Sequence, residues 1–137
     1  MPNYCYLLTT ITHERLPIFS DFYAARICID GLRLQQEQGL AITMAFVVMP
    51  DHLHWLIQLQ KGDLAMVMQA VKGGVARRVN LYRGTSNRVW QAGYHDHALR
   101  REEDIRWVAR YIVANPLRAG LVSDVRDYPH WDAIWME

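Results

Sequence analysis

Residues 47–59, VVMPDHLHWLIQL, decide how this chain folds. Pro50 fixes its own backbone angle and Asp51 tolerates turn geometry, so the pair predicts a tight turn between two extended arms. The arm before it, AITMAFVVM (41–49), is a nearly continuous apolar run, consistent with a buried strand. The arm after it alternates. Successive side chains of a strand point to opposite faces, so Leu53, Trp55, Ile57 and Leu59 turn toward a core. His52 and His54 then share the other face with Leu56 and Gln58. The reading is a hairpin whose second strand carries two imidazoles side by side.

Outward from the hairpin, YCYLLTTIT (4–12) is rich in aromatic and β-branched residues and predicts a first strand. Residues 20–39 predict a helix, capped by Ser20 or Asp21 and ended by Gly39, with Phe22, Ala25, Ile29 and Leu32 at helical spacing. A second helix starts at Asp63 and stops near Gly84, weakened in its middle by Gly73-Gly74. Residues 88–100, RVWQAGYHDHALR, suggest a fourth strand with a bulge at Gly93. Residues 101–120 open with acids in their first turn, as the helix dipole favours, and close at Gly120. The order βα–ββ–αβ–α predicts an α+β domain over residues 1–137: a ferredoxin-like antiparallel sheet of about four strands with packed helices.

The chain has 137 residues, 51% hydrophobic and 21% charged, which suits a globular protein with a real core and argues against disorder. No apolar signal region follows MPNYCYLLTT, and Cys5 and Cys28 form neither a metal-ligand spacing nor a disulfide framework, so cytoplasm is the simplest compartment. The net charge of +1 hides an uneven distribution. Residues 72–118 hold ten basic and four acidic side chains, while the segments before and after are net acidic. Nine of the ten cations are arginine, the side chain suited to bidentate phosphate contacts. A solvated helix face is the plainer reading of the same charges.

Two imidazoles two residues apart on a rigid strand make a bidentate metal clamp, or simply two polar residues on a wet sheet face. In the last helical segment Tyr111 and Asn115 lie one turn apart and point to the same side. A phenol can act as a nucleophile, and an amide oxygen can complete a metal site. Pro116 disfavours helical geometry at Asn115, so Asn115 either ends one helix or caps a short second one. A helical Tyr that merely packs, and an Asn-Pro that merely marks a boundary, are the structural alternatives. His95 and His97 repeat the two-residue spacing and, with His52 and His54, offer a four-histidine arrangement or a supporting role for His97. Trp90, Trp107, Trp131 and Trp135 read as packing residues, and Tyr4, Tyr6, Tyr23, Tyr82, Tyr94 and Tyr128 as structural.

The motifs MPDHLHWLIQL, WQAGYHDHALR and YIVANPLRAGLV together resemble the REP-associated branch of the HUH single-tyrosine transposases, over nearly the whole chain. The resemblance implies that His52, His54 and Asn115 are ligands of a divalent metal, Mg²⁺ or Mn²⁺, and that Tyr111 is the nucleophile. It also implies a single-stranded or hairpin DNA substrate, a covalent 5′-phosphotyrosine and a free 3′-hydroxyl, rejoined without a nucleotide cofactor. Lys72, Arg77, Arg78, Arg83, Arg88, Arg100 and Arg118 would then hold phosphates. With YPHWDAIWME as the last stretch of the sequence, substrate recognition is expected to lie within the core. The expected assembly is a monomer or homodimer. Two other readings compete: a metal-dependent phosphodiesterase that uses water, and a catalytically idle hairpin-binding module.

Overall fold

The structure, a computed structural model, describes residues 4–134. Five strands, β1 (Cys5–Ile11), β2 (Ala41–Met49), β3 (His52–Leu59), β4 (His95–Leu99) and β5 (Trp131–Ala133), form one antiparallel sheet in the order β4-β1-β3-β2-β5. The first four strands reproduce the ferredoxin-like order. The fifth, absent from the sequence-based count, extends the sheet at β2. Three residues beside Pro129 carry too little alternation to announce a strand. Pairing with β2 supplies the order instead, helped by the flanking bonds Val48 N–H to His130 O and Ile134 N–H to Met44 O.

Helices cover both faces. On one, α1 (Phe22–Glu37) and α2 (Leu64–Arg83) enclose a core with Leu8, Phe46, Val48, Leu53, Trp55 and Ile57. Asp21, rather than Ser20, caps α1 by accepting from the amides of Tyr23 and Ala24. Gly31 lets the two helices close up, since a Cβ there would stand 2.8 Å from a Val75 methyl. Helix α2 runs unbroken through Gly73-Gly74, because Val67, Met68, Val71, Val75 and Val79 bury one continuous stripe, and that packing outweighs the weak propensity of two glycines. On the other face, α3 (Glu102–Val113) packs Ile105, Ala109, Ile112 and Val113 against Leu56, Val47, Met49 and Cys5.

A bulge between Thr43 and Ala45 inserts one residue into β2 and reverses which face its later residues point to. Both faces of Ala45–Met49 are buried, Phe46 and Val48 in the first core and Ala45, Val47 and Met49 in the second, which accounts for the unbroken apolar run. The buried Trp55 ring satisfies its indole N–H on Thr43 Oγ1 at 2.9 Å.

Two elements are shorter than the sequence suggests. Of residues 88–100 only His95–Leu99 form a strand. Val89 and Trp90 turn into the first core, Trp90 bridges to Thr12, and Gly93 takes a positive φ of 78° that ends the extended run before β4. The segment 101–120 is two helices. Pro116 has no N–H to continue the ladder, so α3 stops and α4 (Asn115–Arg118) begins after Ala114. None of the described helices is long and apolar enough to cross a membrane.

Candidate active site

The site lies on the α3 face of the sheet. Register places His54 between Thr9 of β1 and Val47 of β2, and His52 between Ile11 and Met49. The two imidazoles stand edge to face with ring centroids 4.8 Å apart. Each has its Nδ1 already engaged. His52 Nδ1 donates to Asp51 Oδ1 at 2.7 Å, and His54 Nδ1 is hydrogen-bonded to Thr9 Oγ1 at 2.8 Å. Asp51 is itself held at the hairpin tip: Arg15 pairs with its carboxylate at 3.2 Å, and its carbonyl accepts from Thr12.

With Nδ1 protonated, His52 Nε2 is an acceptor, and Asn115 Nδ2 approaches it at 3.3 Å. The break at Ala114 makes Asn115 the first residue of α4, with Ala114 as the preceding cap. Asn115 therefore neither ends the first helix nor caps the second, as the sequence had offered, because Ala114 takes both cap positions, and its side chain reaches β3. Tyr111, one turn earlier, is half exposed, its ring 3.7 Å below the Arg118 guanidinium and stacked on Trp107 with centroids 5.2 Å apart and planes 15° apart.

Burial, with the neighbouring His52 and Arg118 adding to it, pushes the His54 pKa down to about 4. His54 is therefore neutral at physiological pH, the form that binds a metal. Partial burial raises the Asp51 pKa, but its hydrogen bonds and charge contacts with His52 and Arg15 outweigh this and hold it below the ordinary value. Asp51 is thus the anionic partner that fixes the His52 tautomer. Among the described residues no third His, Cys, Asp or Glu joins the pair to make a metal-holding group, and the side chain that meets His52 Nε2 is the Asn115 amide.

The structure does not bring the other nominated residues together. His95 and His97 lie on edge strand β4, opposite Thr9 and Leu7, two strands from β3 and so about 10 Å away across the sheet. They share the face of the site, but no four-histidine cluster forms among the described residues. Lys72, Arg77, Arg78 and Arg83 sit on α2, behind the sheet. Lys72 donates to the carbonyls of Gln91 and Gly93 at 2.9 and 2.5 Å, and Arg78 pairs with Asp30 at 3.6 Å. Arg88 bonds the Trp90 carbonyl, and Arg100 lies over the Tyr4 ring. Of the seven, Arg118 alone reaches the histidine–tyrosine cluster.

Asp51 and Thr9 were missed by the sequence reading. Asp51, next to His52, had been given only a turn role, and Thr9 needed the strand register. Trp107 is not core, being 59% exposed, whereas Trp90 is buried and Trp131 half-buried with its N–H on Val125 O. Trp135 lies outside the described residues. A recess of about 380 Å³ between α1, the β2 bulge and β5 contains none of the site residues.

Residues 2–115 match the family model described as "Transposase IS200 like". The chain belongs to the IS200-like transposase family. Within it, the chain is 31% identical over 100 residues to a REP-associated tyrosine transposase of Escherichia coli K12, an alignment that covers 72% of this chain and 57% of that protein. It thus spans little more than half the length of that relative. The solved structure of a REP-associated tyrosine transposase bound to a REP hairpin superposes with a TM-score of 0.78 at 22% identity, over 96% of this chain and 77% of the other, and carries the same fold.

Proposed function

We propose that this transposase cleaves and rejoins single-stranded DNA beside a hairpin through a covalent 5′-phosphotyrosine on Tyr111, with a divalent metal, Mg²⁺ or Mn²⁺, held by His52, His54 and Asn115. The observation that carries the proposal is the arrangement of ring nitrogens. Both Nδ1 atoms are engaged by Asp51 and Thr9, which leaves both Nε2 atoms as ligands, while Asn115 meets one of them and Tyr111 lies one turn away. Its amide would turn to offer oxygen in place of nitrogen, an isosteric change. Two imidazoles and one amide oxygen fit a cation that fills its remaining positions with water and phosphate oxygen. When bound, the cation supplies Lewis-acid polarisation of the scissile phosphate.

The chain's residues do the rest. Asp51 holds the His52 imidazole in one tautomer and orientation, and Thr9 holds the orientation of the His54 ring. Trp107 and Arg118 hold the Tyr111 ring, and Arg118 offers a guanidinium to a phosphate oxygen. The Tyr111 hydroxyl oxygen attacks phosphorus, the P–O3′ bond breaks, and the phenolic proton is balanced by the one the leaving 3′-oxygen takes up. One phosphodiester replaces another, so reversal with a different 3′-hydroxyl rejoins the strand with no nucleotide consumed. A hairpin partner is suggested by the related protein bound to one. The half-exposed Tyr111 suits a flexible strand that bends its phosphate inward.

The test is a denaturing gel with end-labelled hairpin DNA carrying single-stranded flanks. Wild-type protein with Mg²⁺ or Mn²⁺ should give a protein-linked band, and chelator or Tyr111→Phe should abolish it. Cleaved ends without an adduct would favour the water-using phosphodiesterase, and a native shift with neither would favour an idle binding module.

A further inference from the structure

We infer that Trp107 is a stacking platform for one unpaired base of the substrate strand, next to the nucleotide whose phosphate Tyr111 attacks. The inference rests on the proposed reaction and adds a binding site for the strand that no motif assigns. Trp107, Tyr111 and Asn115 follow one another at single-turn spacing, about 5.4 Å per turn, along a line that ends on His52. Helix α3 buries its other side through Ile105, Ala109 and Ile112, so this line is not what holds the helix to the sheet.

The indole is 59% exposed and, stacked with the half-exposed Tyr111 ring, forms an aromatic surface open to solvent. One ring face meets Tyr111 nearly parallel, and the exposed remainder is continuous with the candidate nucleophile. The occupant follows from the surroundings. Arg118, against the Tyr111 ring, offers charge to a phosphate, while Trp107 offers a flat π-surface one turn away. A phosphate followed by a planar base matches cation followed by ring, and base–aromatic stacking tolerates any base. The other exposed aromatic cluster is unlike it, because Tyr82 there donates its hydroxyl to Asp21 and serves the α1 cap.

A binding cycle tests this with the Tyr111→Phe protein, which keeps the ring but cannot cleave. Its affinity is measured for a hairpin with mixed-sequence single-stranded flanks, and for copies in which one flank base at a time is abasic, with the hairpin fixing the register. One abasic position should weaken binding about tenfold, or about 1.4 kcal/mol. Trp107→Ala in the same background should weaken binding to the intact DNA by a similar factor. It should also make that abasic position cost nothing further, while Trp107→Phe keeps part of the affinity. Wild-type affinity for the Trp107→Ala protein, or abasic losses that simply add to its own, would overturn the assignment and leave Trp107 as a support for the Tyr111 ring. Because binding is read without cleavage, a wild-type protein that forms no adduct would refute the proposed reaction separately.

Discussion

Replacing Asp51 by Asn isolates the contribution of a residue that engages His52 through Nδ1, away from the open Nε2. The carboxylate accepts His52 Nδ1–H at 2.7 Å and pairs with Arg15 at 3.2 Å, while its backbone carbonyl, which binds Thr12, is untouched by the change. The amide keeps the size and turn preference of Asp but loses the charge that polarises the imidazole. It can also present an N–H₂ to Nδ1, which favours the wrong tautomer and leaves Nε2 protonated. Losing such a partner typically weakens metal binding about 10- to 100-fold, or roughly 1.4–2.7 kcal/mol. The stability cost should be far smaller. Arg15 is exposed and Asp51 partly so, and their pair contributes about 1 kcal/mol, which corresponds to a fall in Tm of about 4 °C. Calorimetric titration with Mn²⁺ gives the affinity, and thermal melts in chelator give the stability. Wild-type Mn²⁺ affinity in Asp51→Asn would refute the tautomer argument. So would a metal-free melting loss large enough to account for the whole effect.

Asn115→Ala should raise the Mg²⁺ or Mn²⁺ needed for half-maximal cleavage and stay slow at saturation, while Asn115→Asp keeps some activity. The metal-free melting point should hardly move, since Ala114 occupies the cap position, and a large metal-free loss would strike Asn115 from the ligands. Arg118→Ala should reduce the slope of log affinity against log salt by about 0.7, the share of one single-strand phosphate. Arg78→Ala, ion-paired to Asp30 behind the sheet, should change it less, and equal slopes would place the strand elsewhere. The depressed His54 pKa sets a pH dependence. Above the unfolded value near 6.5 both states are neutral there, and as pH falls toward about 4 the unfolded chain takes the proton first, so the folded state loses as much as about 3 kcal/mol. His54→Gln should flatten wild-type melting against pH in that window, and parallel curves would contradict it.

The hairpin was legible because its information is local. A Pro-Asp turn and a period-two pattern need no distant partner, and they placed His52 and His54 correctly on one face. The Tyr111–Asn115 spacing was local too, and Pro116 announced the break at Ala114. Long-range facts were not legible. Thr9 meets His54 only through the β1–β3 register, and β5 exists only because β2 offers it an edge. The placement of the basic segment is another long-range fact. Charges close in sequence from Lys72 to Arg118 are divided by the sheet, with α2 on one side and α3 on the other.

That division bears on how the site would load. The proposed ligands, two imidazoles and an amide oxygen, are all neutral, and the Arg118 guanidinium close to His54 opposes a cation. The nearest anion, Asp51, spends its charge on His52 Nδ1 and Arg15 instead of on the open ring nitrogens. A hard divalent cation held only by these groups is bound weakly, because it ordinarily relies on charged oxygen. A scissile phosphate would supply that oxygen and neutralise Arg118. On the proposed reaction, metal and strand would therefore strengthen each other's binding by the same factor, as linkage requires. Three features of the chain hold His52, His54, Asn115 and Tyr111 in register for that proposed step: the Asp51 turn, the Thr9 register and the helix break before Pro116.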